Sequence, residues 1–497
     1  MDRRQFVRYT MGLAGAGLFS FALAELASRK PLDAVGRPTA TSTAAPTGSS
    51  TLSSSPQYSS LPDYQEFLSW LNSVSGPYSG KALNISLEAE FGPYATQLID
   101  GDFLSASGIR DQYDIKPYSL QLQDVSLMFS TKSSAYDAYS LDVENLGVFP
   151  TSSISPFELA QEYPKLTYPG IDFADFYRVS WDRIATYPPD LSGGNGGNSA
   201  SDTTVLPFDT PTLVLFYRKD IFQKLELAPP TNWDEHFANC QAIQKSGLTP
   251  SGSVSMAAPD ISIIYEYQAH LASFGGSLWA VDGNTITPTV NTDAALAALE
   301  NFVRFNPYSD PSSYTYTWDN VFETVARELA PQALMFDGFA SWFNDPQRSL
   351  VPGLMGYAQN PAGPEGVFHP YAGSGVGVSR YSKNPEMAWL WIQWATAKGA
   401  QEAKILGQYQ SYPTRSSVAE VPQIASALQT SDFTIANLTN EIWQAGSLTS
   451  LLGFPKWLQA AVIVSNALNT AWAGTASPKN ALAGAQTALE QMGTLSF

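Results

Sequence analysis

Cysteine is almost missing from this sequence: Cys240 is alone among 497 residues, which excludes a disulfide within the chain and any thiolate-rich metal site. Histidine is nearly as scarce. His236, His270 and His369 are far apart and lack the i, i+4 spacing with which a helix offers two imidazoles to zinc, so no metal centre is expected and each is read as structural. Basic side chains are outnumbered, 27 Lys and Arg against 45 Asp and Glu, for a formal net charge of -18. That sign repels phosphate backbones and anionic lipid, so no nucleic-acid partner is expected. No fixed-period repeat is visible, and beyond the N-terminus no apolar run is long and uniform enough to span a bilayer.

Apolar material, by contrast, is plentiful. At 44% hydrophobic and 14% charged residues the chain can bury large cores, and its length exceeds the roughly 100 to 200 residues of one ordinary domain. The N-terminus has a different character. Residues 2–8 read Asp-Arg-Arg-Gln-Phe-Val-Arg, and an apolar stretch runs from Met11 to Ala24, the basic and hydrophobic regions of an export signal. Arg3-Arg4-x-Phe6 resembles the twin-arginine type. Residues 1–27 are therefore assigned to the signal, with Ala22-Leu23-Ala24 as a small-x-small cleavage site and an uncleaved tether as the alternative. Residues 28–62, dominated by Ser, Thr, Ala and Pro, cannot repay the entropy of ordering and read as a flexible linker.

Past the linker, strand-like runs at Ala82–Leu87, Thr212–Tyr217 and Gly375–Ser379 alternate with longer amphipathic stretches, the pattern of an α/β protein. Asn384-Pro385-Glu386 predicts a helix start, since it combines a capping side chain, a preset φ and an acid at the positive helix end. Met387, Trp391 and Trp394 then follow at i, i+4, i+7 as a core stripe. A second helix is predicted from Asn291 or Thr292, burying Leu296, Leu299 and Val303, and a third from Thr231, with Trp233, Phe237 and Cys240 on its apolar face. The Gly/Asn/Ser-rich stretch Asp190–Ser201 has no lysine after its glycines and no strand before them. Walker and dinucleotide readings both fail, no cofactor is expected, and a surface loop is left.

Several blocks then occur in a telling order. Tyr136-Asp137-Ala138-Tyr139-Ser140-Leu141-Asp142 is followed by Leu206-Pro207-Phe208-Asp209, by Phe216-Tyr217-Arg218-Lys219-Asp220 and by Pro229-Pro230-Thr231-Asn232-Trp233-Asp234-Glu235. Further on come Phe274-Gly275-Gly276, Ala333-Leu334-Met335-Phe336-Asp337-Gly338, Gly373 to Ser379 and Tyr412-Pro413-Thr414-Arg415. From about Lys81 onward, some four fifths of the chain, this resembles the extracellular solute-binding proteins of ABC importers, the maltose-binding-like family. The resemblance implies an α/β, two-lobed periplasmic-binding-protein-like fold, with lobes joined by multiple crossover strands and a hinge. One lobe would combine 81–205 with 333–381, the other 206–332 with 382–497. It further implies a monomer that holds a small solute between the lobes, delivers it to an importer's membrane permease outside the cytoplasm, and performs no catalysis.

A sugar presents hydroxyls that need paired donors and acceptors and C–H faces that stack on rings, a demand suited to a chain with 12 Trp and 24 Tyr. By their match to family positions the expected ligand contacts are Glu90, Tyr94, Asp142, Glu144, Asp209, Tyr265, Trp279, Asp337, Trp342, Ser374, Tyr412 and Arg415. Acids and aromatic faces together also hold cations, so a polyamine or another small polar solute stays open. A secreted glycoside hydrolase is the rival from another class, because 45 acids contain many pairs that could face each other across a glycosidic bond. A purely adhesive surface role would bind no small molecule at all.

Overall fold

The computed structural model describes residues 61–189, 191, 202–406, 413–428 and 434–497. The expected signal, the linker up to residue 60, Asp190, residues 192–201 and Tyr412 lie outside the described residues. The last two linker positions belong to the body instead: Leu61 is buried and Pro62 opens the helix Pro62–Ser75. Tyr64, Phe67 and Leu71 hold this helix down at helical spacing.

Two principal sheets organise the described chain. In the first, β2 (Arg110–Lys116), β1 (Ala82–Glu88) and β3 (Ala138–Asp142) run parallel, while β12 (Ser374–Ser379) returns antiparallel to β3 and also pairs with β4 (Ser153–Ile154) and β5 (Leu206–Asp209). β3 is buried throughout and β1 from Ile85 to Glu88, as strands covered on both faces must be. The second sheet is antiparallel, with β6 (Leu213–Arg218) between β10 (Met355–Ala358) and β9 (Gln332–Phe336). Smaller elements complete the set: β7 (Trp279–Asp282) and β8 (Thr285–Pro288) form a hairpin joined by β14 (Leu495–Ser496), and β11 (His369–Pro370) pairs with β13 (Leu448–Thr449).

Each principal sheet has its own hydrophobic core. The first gathers Leu83, Ile85, Phe103, Leu206, Val376, Trp389, Trp391 and Trp394, and the second Leu213–Phe216, Ile263, Leu299, Phe302, Met335, Phe343, Trp457 and Leu489. The helix Pro385–Ala395 starts where its Asn-Pro-Glu signal placed it, but every residue from Met387 to Ala395 is buried. Trp389 and Trp391 donate their indole N–H groups to Thr167 and Tyr113 at 3.1 Å each, which makes burial of polar-tipped rings tolerable. The helix Trp233–Ser246 is capped by Asn232, which accepts from the N–H groups of Asp234 and Glu235, and Thr292 caps Asp293–Val303. In the latter the buried stripe runs through Ala295, Ala298, Leu299 and Phe302, leaving the predicted Leu296 and Val303 half-buried at its margin.

The packing divides the chain differently from the sequence-based lobes. Residues 333–336 were expected with 81–205, yet β9 pairs with β6 over five residues, Gln332 to Phe336, and packs in the second core. The helices Pro385–Ala395 and Lys398–Leu406 were expected with the second lobe, yet they pack in the first core. A helix apolar on all sides needs apolar partners all round, and the core under the six-stranded sheet supplies them. The chain thus leaves the first core after Asp209, returns at Ser374, and enters the second again by Ile435. The fold is mixed α/β and two-lobed.

Candidate functional site

The ends of β1 and β3 lie side by side because these strands are parallel and neighbouring, Ile85 opposite Ala138. Each strand ends in an acid, Glu88 or Asp142, and a second acid follows two residues later, Glu90 or Glu144. Parallel pairing therefore delivers four carboxyls to one place, outside the C-terminal ends of the strands, where open α/β sheets generally take their ligands. The second core supplies the facing wall: Ile261 and Tyr265 from the first turns of Ile261–Ser273, Trp318 and Asp319 from the start of Trp318–Ala326, Phe336 from β9, and Phe339 and Trp342 from Phe339–Asn344. Between the walls is a cleft of about 500 Å³, its mouth open to solvent included, also lined by Phe91, Tyr118, Pro211 and Ala372.

Polar contacts fix the acids unequally. Glu144, 1% exposed, accepts from both sides: the Tyr118 hydroxyl donates to Oε1 at 2.9 Å and the Tyr265 hydroxyl, from the second core, to Oε2 at 3.1 Å. Asp209, at the end of β5, accepts the Gly92 N–H on Oδ2 at 2.6 Å and the Thr210 N–H on Oδ1 at 3.0 Å. Gly92 must be glycine for this approach, since a Cβ there would stand 2.6 Å from Asp209 Oδ2. Glu90 accepts from Ser374 Oγ at 3.2 Å. Glu88 Oε2 has no hydrogen-bond partner although the residue is 3% exposed. One oxygen from each of Glu88, Glu90 and Asp142 lies within 4.8 Å of the other two.

Burial is the main force on these acids. It raises the pKa of Glu88 and Glu90 well above the ordinary carboxyl range, and the Asp142 carboxylate pushes both further. Asp142 and Glu144 are also raised, chiefly by burial. Aromatic rings from both walls line the cleft around the acids: Phe91 meets Phe339 at 4.8 Å and Trp342 at 5.5 Å, Tyr265 meets Phe336 at 5.5 Å, and Tyr118 meets Trp318 at 6.1 Å.

Of the residues singled out from sequence, Glu90, Asp142, Glu144, Tyr265 and Trp342 line the cleft. Ser374 and Asp209 stand just behind it, holding Glu90 and the Gly92 turn, and Tyr94 lies beside Trp342 at 6.2 Å between ring centroids. Three others are elsewhere. Trp279 begins the β7 hairpin, packs on Phe454 at 5.1 Å and borders a separate cavity with Gln268 and Tyr371. Asp337 fastens a crossover, accepting from the Thr212 N–H and the Thr439 hydroxyl at 3.0 Å each. Arg415 is buried in the first lobe, donating to the carbonyls of Thr396 and Asp172 and facing Asp175 at 3.5 Å. A turn-borne Trp, a post-strand Asp and a late Arg are alike in sequence whether they face a cleft or a core, and here the interior claims them. Glu88, Tyr118, Trp318 and Phe339 were missed. Glu88 was legible as the last residue of a buried strand, and Trp318 as the first helical residue after Thr317, the N-cap of a Thr317–Asn320 capping box.

Comparison with known proteins agrees with this architecture. The erythritol/L-threitol-binding protein of Mycolicibacterium smegmatis is 22% identical over 354 residues, which cover 68% of this chain and 72% of its own length. Among solved structures, an ABC-transporter solute-binding protein from Agrobacterium radiobacter in complex with ribitol superposes with a TM-score of 0.70 at 20% identity, covering 84% of this chain and 99% of its own. A maltose-bound protein of T. maritima also gives 0.70, at 18% identity, with 83% and 100% covered. Residues 112–402, more than half of the sequence, match the family described as bacterial extracellular solute-binding protein. The chain belongs to that family.

Proposed function

We propose that this protein captures a polyhydroxylated solute, a sugar or polyol, in the cleft between its lobes and presents it unaltered to the membrane permease of an ABC importer. The observation that carries this reading is the cleft itself, with hydrogen-bonding acids on one lobe facing a sheet of aromatic rings on the other. Hydroxyls require the first and C–H faces the second. The two tyrosines that reach Glu144 from opposite sides give closure a physical basis, since a solute touching both walls binds the closed arrangement better and draws the population toward it. Relatives that bind erythritol or L-threitol, ribitol and maltose support the solute class. The protein acts as a monomer, exported by its N-terminal signal and held away from the surface on the Ser/Thr/Pro-rich stalk.

Melting the protein against a panel of sugars and polyols tests the reading. A true solute at 100 times its dissociation constant adds about 2.7 kcal/mol of stability, and the same incubation yields no new product. Absence of any saturable stabilisation, or conversion of a glycoside, refutes it.

A further inference from the structure

The acids of the cleft are not equivalent, and the difference bears on the solute. Glu144 and Asp209 have both oxygens occupied by protein donors. Glu88, Glu90 and Asp142 form a group in which one oxygen of each lies within 4.8 Å of the other two, and Glu88, which lines the cleft, has a buried Oε2 with no donor. Among the described residues, no Lys, Arg or His lines this cleft; the Arg348 guanidinium lies 4.5 Å from the Trp342 ring centroid.

A hydroxyl has one hydrogen to give and asks for a donor in return, so it satisfies one carboxylate and leaves the others unmet. An ammonium has three hydrogens, no acceptor, and a charge of the opposite sign. Three carboxylate oxygens placed about 2.8 Å from one nitrogen at tetrahedral angles stand about 4.6 Å apart, inside the 4.8 Å within which one oxygen of each of these three acids lies from the others. Aromatic faces, Tyr118 beside the acids and Trp318 and Tyr265 across the cleft, add attraction for a cation and its carbon skeleton.

We propose that the solute carries a protonated amine, as an amino sugar or amino polyol does, and that Glu88, Glu90 and Asp142 receive the ammonium while the aromatic wall takes the carbon frame. This rests on the sugar or polyol reading and narrows it. The same burial that raises the Glu88 and Glu90 pKa values makes a bound positive charge the partner that returns these groups to their ionised form.

Calorimetry and thermal shift on the full chain with matched pairs test the proposal: D-glucamine against D-glucitol, and D-glucosamine against D-glucose and N-acetyl-D-glucosamine, with putrescine and calcium chloride each alone. At least one amine is expected to bind tenfold or more tighter than its neutral twin, and Glu88→Gln and Glu90→Gln to cut that preference below threefold. Equal or tighter binding of the neutral twins overturns the amine assignment and leaves the sugar or polyol reading standing. Binding of putrescine alone keeps the ammonium contact and overturns the sugar reading, and a panel in which nothing binds overturns both. Saturable calcium binding without an amine preference replaces the ammonium by a metal ion and also overturns the proposal. The wild-type pairs decide the matter even if a variant fails to fold.

Discussion

Glu266 offers a sharp test of how burial governs this protein's acids, because it lies away from the cleft and from the Glu88 group. It sits within the helix Ile261–Ser273 at 3% exposure and accepts the Met256 N–H at 2.5 Å. Burial outweighs that hydrogen bond and raises its pKa from 4.5 to about 8. The folded state therefore keeps a proton that the unfolded chain has released throughout the window between those values. There the unfolded state binds fewer protons, so stability falls as pH rises, by about 1.4 kcal/mol per unit for this one group. The contribution is intact below pH 4.5 and reaches a loss of order 5 kcal/mol by pH 8. Glu266→Gln is neutral in both states and keeps an acceptor for Met256. Relative to the wild type it should gain about 3 kcal/mol between pH 5.5 and 7.5, read from urea unfolding followed by tryptophan fluorescence. Parallel pH profiles for the two proteins would refute the reasoning, since they would mean that Glu266 is ionised in the fold.

Trp342→Ala removes a ring that touches Phe91, Phe322 and Phe339 and carries Arg348 at 4.5 Å; titration calorimetry with the identified solute should show affinity reduced tenfold or more, about 1.4 kcal/mol. Arg415→Met separates structure from binding: it strips donors from two buried carbonyls and a charge partner from Asp175, so stability should drop by about 3 to 5 kcal/mol while the dissociation constant of the folded protein is unchanged. A large change in affinity from that substitution would return Arg415 to the binding site.

Much of the fold was legible locally. Helix starts at Asn232 and Thr292 follow from side chains that cap the backbone a few residues on, the start at Pro385 from a proline and an acid in the first turn without a side-chain cap, and the strands at 82–88 and 374–379 from apolar residues alternating with small or polar ones. The lobe boundaries were not legible in the same way. Whether β9 joins one sheet or the other depends on which edge is vacant, and the Trp-rich helix 385–395 reads as buried from sequence without naming the core that buries it.

The cleft divides along the same line. Sequence alone determined that acids follow the strands, that aromatics abound, and that metal and nucleotide chemistry lack their motifs, because each depends on residue types and short spacings. Only the tertiary structure decided that Glu88 and Glu90 stand beside Asp142, some fifty residues away, that Tyr265 reaches Glu144 across 121 positions, and that Trp279, Asp337 and Arg415 turn inward. Parallel strand pairing and closure of two cores bring distant positions within hydrogen-bonding range, and no local pattern encodes the partner at the far end.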